Sequence, residues 1–225
     1  MLTWSLSLKW LPLKQSEVSK SLLKISQKIQ TKFSYAVMIK AIITDFDGTL
    51  VDTFEANLRA YQEAFHQVGI TLMAEKYREC FGYRFDRFMQ AMAVTDEIVA
   101  NQINDLKREA YPKHFSHLIP NTKLIELIAT FHQMGAKTAI ASTARKENLM
   151  NAVNYLGIAH HFNLIYAGGD VKQGKPSPEI YLKAMDTLEV KPEEVLIFED
   201  SPVGFQAAKA SGAKYIPVTS DWFTE

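Results

Sequence analysis

Apolar residues along this chain recur in two patterns. Short unbroken runs, Ile39 to Thr44, Thr138 to Ala141, Leu164 to Ala167 and Val195 to Phe198, alternate with segments of helical spacing. That alternation predicts a parallel sheet covered by helices. Each run stops at polar or glycine residues: Asp45, Ser142, Gly168-Gly169-Asp170 and Glu199-Asp200. Open α/β sheets bind ligands outside the carboxyl ends of their strands, so the four endings are expected around one crevice. The stretch from Phe54 to His117 differs. Ala56, Ala60, Ala64 and Phe65, then Phe85, Phe88, Met89 and Met92, then Ile98, Ile103 and Leu106 follow helical spacing, and strand signals are scarce. The fold expected is α/β, a Rossmann-like parallel sheet formed by residues 38–53 and 118–225, with a helical insertion at 54–117 whose Phe and Met stripes make its own core.

Residues 1–37 stand apart. Six lysines face a single acid, Glu17, so the segment carries about +5 and the remaining chain about −5. Val18, Leu22, Ile25 and Ile29 fall at helical spacing between Ser16 and Ile29, which predicts one basic amphipathic helix. A targeting or membrane-surface role is one reading of it. The preferred reading is an accessory extension or a start-site artefact, because Met38 immediately precedes the first core strand.

Composition narrows the class. With 225 residues and 47% apolar positions, the chain can bury one core and a smaller second one. Lys plus Arg equal Asp plus Glu at 25 each, without the basic excess expected of a nucleic-acid binder. The single cysteine, Cys80, excludes an internal disulfide framework and points to a reducing, cytoplasmic setting. No stretch reaches the roughly 18 apolar residues of a membrane span, and Lys9 and Pro12 interrupt the apolar N-terminus.

Chemistry concentrates in Asp45-Phe46-Asp47-Gly48-Thr49-Leu50-Val51-Asp52. Asp45 and Asp47 share one side of a strand of period two, so both reach one cation at its frayed end. Two carboxylates that close repel unless a counter-charge is present. An all-oxygen donor set suits magnesium, which also binds substrate phosphate. Gly48 permits a sharp turn, and Thr49 can offer its hydroxyl and N–H to a phosphate.

This octet after an apolar strand resembles motif I of the haloacid dehalogenase-like hydrolase superfamily, and the resemblance continues from about Ile39 to the C-terminus. Ser142, in Ala141-Ser142-Thr143-Ala144-Arg145, matches motif II; Lys175, in Gly174-Lys175-Pro176-Ser177-Pro178-Glu179, matches motif III; Glu199-Asp200, followed by Ser201 and Gly204, matches motif IV. The resemblance implies a phosphatase that uses Mg2+ and an aspartyl-phosphate. Asp45 would be the nucleophile and Asp47 the general acid and base. Thr49, Ser142, Thr143 and Lys175 would hold the phosphoryl group. The ion would sit on Asp45, Asp47 through its backbone carbonyl, and Asp200, with Glu199 ligating or close by.

A helical insertion directly after motif I resembles the cap of the subgroup that holds β-phosphoglucomutase and phosphoglycolate phosphatase. Such a cap closes over a small-molecule phosphate ester and excludes water. Arg84, in Gly82-Tyr83-Arg84, falls where these caps present a recognition loop, and with Asn57 and Arg145 it completes the expected substrate contacts. The mutase branch carries a histidine where this chain has Asn57, so hydrolysis is preferred and a sugar-phosphate mutase is the alternative. Asp47 argues against a dehalogenase or phosphonate hydrolase, and a response-regulator receiver lacks so large an insertion. His160 and His161 are expected to be ordinary surface residues. Neither the exact substrate nor the oligomeric state follows from the sequence.

Overall fold

A computed structural model describes residues 39–224; the basic segment and its expected helix at Ser16 to Ile29 lie outside the described residues. Five parallel strands form the sheet: β1 (Ala41–Thr44), β4 (Lys137–Ala141), β5 (Leu164–Tyr166), β6 (Val195–Glu199) and β7 (Lys214–Pro217). Their order is β5-β4-β1-β6-β7, so β1 is central and the chain winds outward from it on both sides. A crevice opens at such a reversal, outside the ends of β1, β4 and β6. β7 was not expected from the sequence; its residues are largely exposed, which suits an edge strand.

Side chains of β1 alternate between two buried layers. Ile42 packs with Phe46, Leu124, Ile128, Ile140 and Leu149 on one face. Ala41 and Ile43 pack with Ile180, Tyr181, Ala184 and Ile197 on the other. Helices α5 (Thr122–Gln133) and α6 (Lys146–Tyr155) supply the first layer, and α7 (Glu179–Thr187) and α8 (Pro202–Ala210) the second. Burial on both faces accounts for the unbroken apolar runs.

A two-stranded antiparallel stem, β2 (Val51–Asp52) against β3 (Ile119–Pro120), brackets the helices between them. These are α1 (Phe54–Gln67), α2 (Ala74–Cys80), α3 (Phe85–Ala91) and α4 (Glu97–Ala110), followed by a 3-10 turn, Tyr111–His117. Leu58, Phe65, Tyr77, Phe88, Met89 and Ile103 form a third buried cluster within them. Two features depart from the expected stripes. Ile98 is 78% exposed, because the buried face of α4 runs through Ile103, Lys107 and Ala110. Ala56, Ala60, Tyr111 and Phe115 pack into the layer over the sheet, so α1 has one face toward each core.

Candidate active site

Asp45 follows β1, and its N–H donates to the Phe198 carbonyl at 3.0 Å, which holds it beside β6. The chain then turns back: Gly48 N–H donates to the Val51 carbonyl at 2.8 Å, with Gly48 at φ +85°. A Cβ there would stand 2.3 Å from Oδ2 of Asp200, so glycine is required both by conformation and by the close approach of Asp200. Lys175 arrives from the loop before α7. Its Nζ lies 2.6 Å from Asp45 Oδ1 and also contacts Glu199 Oε1, with its side chain only 2% exposed.

Glu199 is completely buried and saturated. Oε1 accepts from Lys175 and from the Tyr181 hydroxyl at 2.8 Å; Oε2 accepts the N–H of Asp200 at 3.0 Å and both the N–H and hydroxyl of Ser201 at 3.2 Å. Burial opposes its ionisation, yet Lys175 and these donors win, and its pKa lies below the usual carboxylate value. Against burial, Asp45 and Glu199 hold the Lys175 ammonium well above its ordinary range. One ammonium serving two carboxylates leaves Asp45 undercompensated. Burial, then repulsion from Glu199, Asp200 and Asp47, raises Asp45 well above its ordinary value despite the Lys175 contact. Asp200 is pushed up to about 6, by burial and by Glu199.

Asp45, Glu199 and Asp200 each bring a carboxylate oxygen within 4.8 Å of the others, the one such group of three among the described residues. An all-oxygen donor set with excess negative charge fits a hard divalent cation. Since both oxygens of Glu199 are already engaged, the open donors are those of Asp45 and Asp200. The Asp47 side chain turns elsewhere: Oδ1 accepts from the Thr53 hydroxyl at 2.5 Å and the Asn57 amide at 3.3 Å, and Oδ2 faces the Ser142 hydroxyl at 3.4 Å.

The structure gives several expected contacts another partner. Thr49, expected on phosphate, is fully buried and donates its hydroxyl to Asp200 Oδ1 at 2.8 Å. Asn57, expected on substrate, spends its amide on Asp47. Ser142 is buried after β4, and its hydroxyl accepts the Ala144 N–H at 3.0 Å. Thr143, Arg84 and Arg145 line a cavity of about 340 Å³ beside Asp47, together with Asn57. Arg84 donates to the Lys172 carbonyl at 3.3 Å, and Thr143 to that of Gly82 at 3.4 Å, so the loop before α3 touches the loops after β4 and β5. The His160 and His161 ring centroids lie 3.9 Å apart with the planes tilted by 50°, and no third ligand joins them among the described residues.

Sequence reasoning missed Thr53, Tyr181, Asn148 and Lys107. Lys107 had a readable signal, since it falls four residues after Ile103 on the buried stripe of α4. Its ammonium stands 3.7 Å from the Tyr111 ring centroid and 5.2 Å from that of Tyr61, and it lines the same cavity.

Comparison with known proteins identifies the family. Residues 42–218 match the family model described as haloacid dehalogenase-like hydrolase. A phosphorylated carbohydrates phosphatase of Thermotoga maritima is 30% identical over 181 residues, 79% of this chain and 84% of that protein. The fructose-1-phosphate phosphatase YqaB of Escherichia coli is 25% identical over 180 residues, 79% of this chain and 95% of that protein. The crystal structure of CbbY from Rhodobacter sphaeroides in complex with phosphate superposes with a TM-score of 0.74 at 29% identity, covering 84% of this chain and 89% of that one. The chain therefore belongs to the haloacid dehalogenase-like hydrolase family.

Proposed function

We propose that this protein is a magnesium-dependent phosphatase of sugar phosphates or similar small metabolites, acting through an aspartyl-phosphate on Asp45. The observation that carries the reading is the placement of Lys175 between the carboxylates of Asp45 and Glu199. A nucleophilic carboxylate approaching an anionic phosphate meets repulsion, and an ammonium locked beside it reduces that cost. Asp45 and Asp200 are the residues that would hold Mg2+. When bound there, the ion supplies positive charge against the phosphoryl oxygens.

An oxygen of Asp45 attacks phosphorus in line, the bond to the ester oxygen breaks, and the departing alkoxide takes a proton from Asp47. Asp47, now a carboxylate, removes a proton from water as that water attacks the aspartyl-phosphate, which frees phosphate and restores Asp45. Thr53 and Asn57 hold Asp47, which lines the cavity, for both steps. Residues 54–117, with a buried cluster of their own, act as a cap that excludes water and supplies substrate contacts. Asn57, an amide that cannot titrate, stands where the mutase branch has a histidine, which favours hydrolysis over isomerisation. The carbohydrate phosphatases among the relatives support sugar phosphates as the substrate class.

Phosphate release from a panel of sugar phosphates and an aryl phosphate, with Mg2+ and with chelator, tests this in wild type and Asp45→Asn. Release that needs Mg2+ and disappears in the variant is expected. Release surviving in Asp45→Asn places the nucleophile elsewhere, and an isomerised phosphate without free phosphate makes the enzyme a mutase.

A further inference from the structure

Tyr181 lies in the first turn of α7, completely buried, and its ring packs with Ala41, Ile43 and Ile197 in the second layer over the sheet. Phenylalanine would fill that layer as well, so packing does not account for the hydroxyl. The hydroxyl leaves the layer and donates to Glu199 Oε1 at 2.8 Å. That same oxygen meets Lys175 Nζ, and the ammonium stands 5.1 Å from the centroid of the Tyr181 ring. Both members of the buried pair are therefore touched by one side chain.

Glu199 has little room to adjust. Donors from Asp200 and Ser201 occupy its Oε2, and Gly204 backs the carboxylate so closely that a Cβ there would stand 1.9 Å from Cδ. Oε1 is left to Lys175 and Tyr181. Lys175 in turn has two anionic acceptors, Asp45 Oδ1 at 2.6 Å and Glu199 Oε1, which compete for one ammonium. A neutral hydroxyl that donates to a carboxylate offsets part of its charge without adding a second cation. The Tyr181 hydrogen bond thus weakens the hold of Glu199 on Lys175 and leaves more of the ammonium to Asp45. The helix is also fastened to the loop that carries Lys175: the Glu179 carboxylate accepts the N–H groups of Lys172 and Gln173, each at 2.8 Å.

We infer that Tyr181 is a positioning residue for Lys175: by donating to Glu199 Oε1 it divides the ammonium between the two carboxylates in favour of Asp45. The effect on turnover rests on the phosphatase reading, whereas the positioning itself needs no substrate. Tyr181 does not line the cavity, so its influence on the reaction passes through Glu199 and Lys175. An ammonium drawn toward Glu199 is displaced from the place where charge develops as Asp45 attacks phosphorus, and such a displacement raises the barrier more than it weakens binding.

Tyr181→Phe removes the hydroxyl and keeps the ring. In steady-state hydrolysis of a sugar phosphate, kcat is expected to fall about ten- to thirtyfold with KM changed less than about twofold, the mark of a contact that matters in the transition state. Wild-type kcat in a folded Tyr181→Phe overturns the proposal. Glu199→Gln removes the competing charge, so adding Tyr181→Phe to it is expected to cost less than about threefold further. Losses that multiply in full would make Tyr181 a purely structural residue. Position is read without turnover by heteronuclear NMR of the lysine ammonium groups, with the Lys175 signal assigned through Lys175→Arg. Asp45→Asn should shift that signal strongly in the wild-type background and less in Tyr181→Phe, where the ammonium has moved toward Glu199. An equal shift in both backgrounds overturns the proposal whether or not an ester is hydrolysed. A reduced shift in a protein that hydrolyses no ester supports the positioning role and sinks the phosphatase reading alone.

Discussion

The Asn57 amide donates to Oδ1 of Asp47 at 3.3 Å, from the first turn of α1 back to the loop that follows β1. The same oxygen takes the Thr53 hydroxyl, so two neutral donors fix the carboxylate that is proposed to shuttle the proton. Neither donor competes for that proton, because an amide and an aliphatic hydroxyl do not titrate near neutrality.

Loss of these donors should cost turnover more than binding. Asn57→Ala combined with Thr53→Val is expected to lower kcat about 10- to 100-fold, part of what a general acid contributes. Steady-state kinetics checks it, and Thr53→Ser should recover most of the loss. A double variant that turns over at the wild-type rate would show that Asp47 needs no such support.

Lys175→Met leaves Asp45 and Glu199 facing each other without their shared ammonium. Breaking a buried pair on one side costs about 3–5 kcal/mol. Denaturant unfolding in chelator should show a loss of that order, together with collapse of phosphate release. Unchanged stability would mean that these carboxylates do not both ionise in the folded protein.

Gly204 lies against the Glu199 carboxylate: a Cβ at that position would be 1.9 Å from its Cδ and 2.0 Å from each oxygen. Gly204→Ala must displace a saturated, buried side chain, so a loss of about 2–3 kcal/mol is expected in equilibrium unfolding, along with disrupted Lys175 placement. A variant as stable and as active as wild type would contradict the close packing of α8 on β6.

Burial pulls the Lys107 pKa from 10.5 to about 7; Asp47 opposes the shift and Arg145 reinforces it, while the rings of Tyr61 and Tyr111 face the ammonium. Between those values the unfolded chain binds the proton that the folded chain has lost. This group therefore makes stability rise with pH from about 7 to about 10.5, and imposes its full cost below pH 7. Lys107→Met should be the more stable protein at pH 6 by about 1–4 kcal/mol, with the advantage shrinking by pH 9.5. Denaturant titrations at both pH values decide it; an advantage that grows with pH would reverse the assignment.

Much of the architecture was legible in the chain itself. Unbroken apolar runs mark β1, β4 and β6 because strands covered on both faces have no solvent side to alternate with. β7 escaped notice because an edge strand with exposed Lys214 and Tyr215 lacks that run. Ile98 was misplaced in a stripe for a related reason: helical spacing alone does not say which of several apolar residues near a helix start faces inward.

At the site, residue types and spacing determined which groups gather. Asp45, Ser142, Glu199 and Asp200 each close a strand, and parallel strands present their carboxyl ends to one crevice. Which oxygen meets which donor was decided only in three dimensions. Thr49 turned to Asp200, Asn57 to Asp47 and Glu199 to Tyr181 because each hydrogen bond spans elements far apart in the chain or depends on how a helix leaves a loop. Lys107 shows the limit most clearly. Its place on the buried stripe of α4 was written in the sequence, but that it lines the same cavity as Asp47 and Arg145 depends on how the inserted helices pack against the sheet.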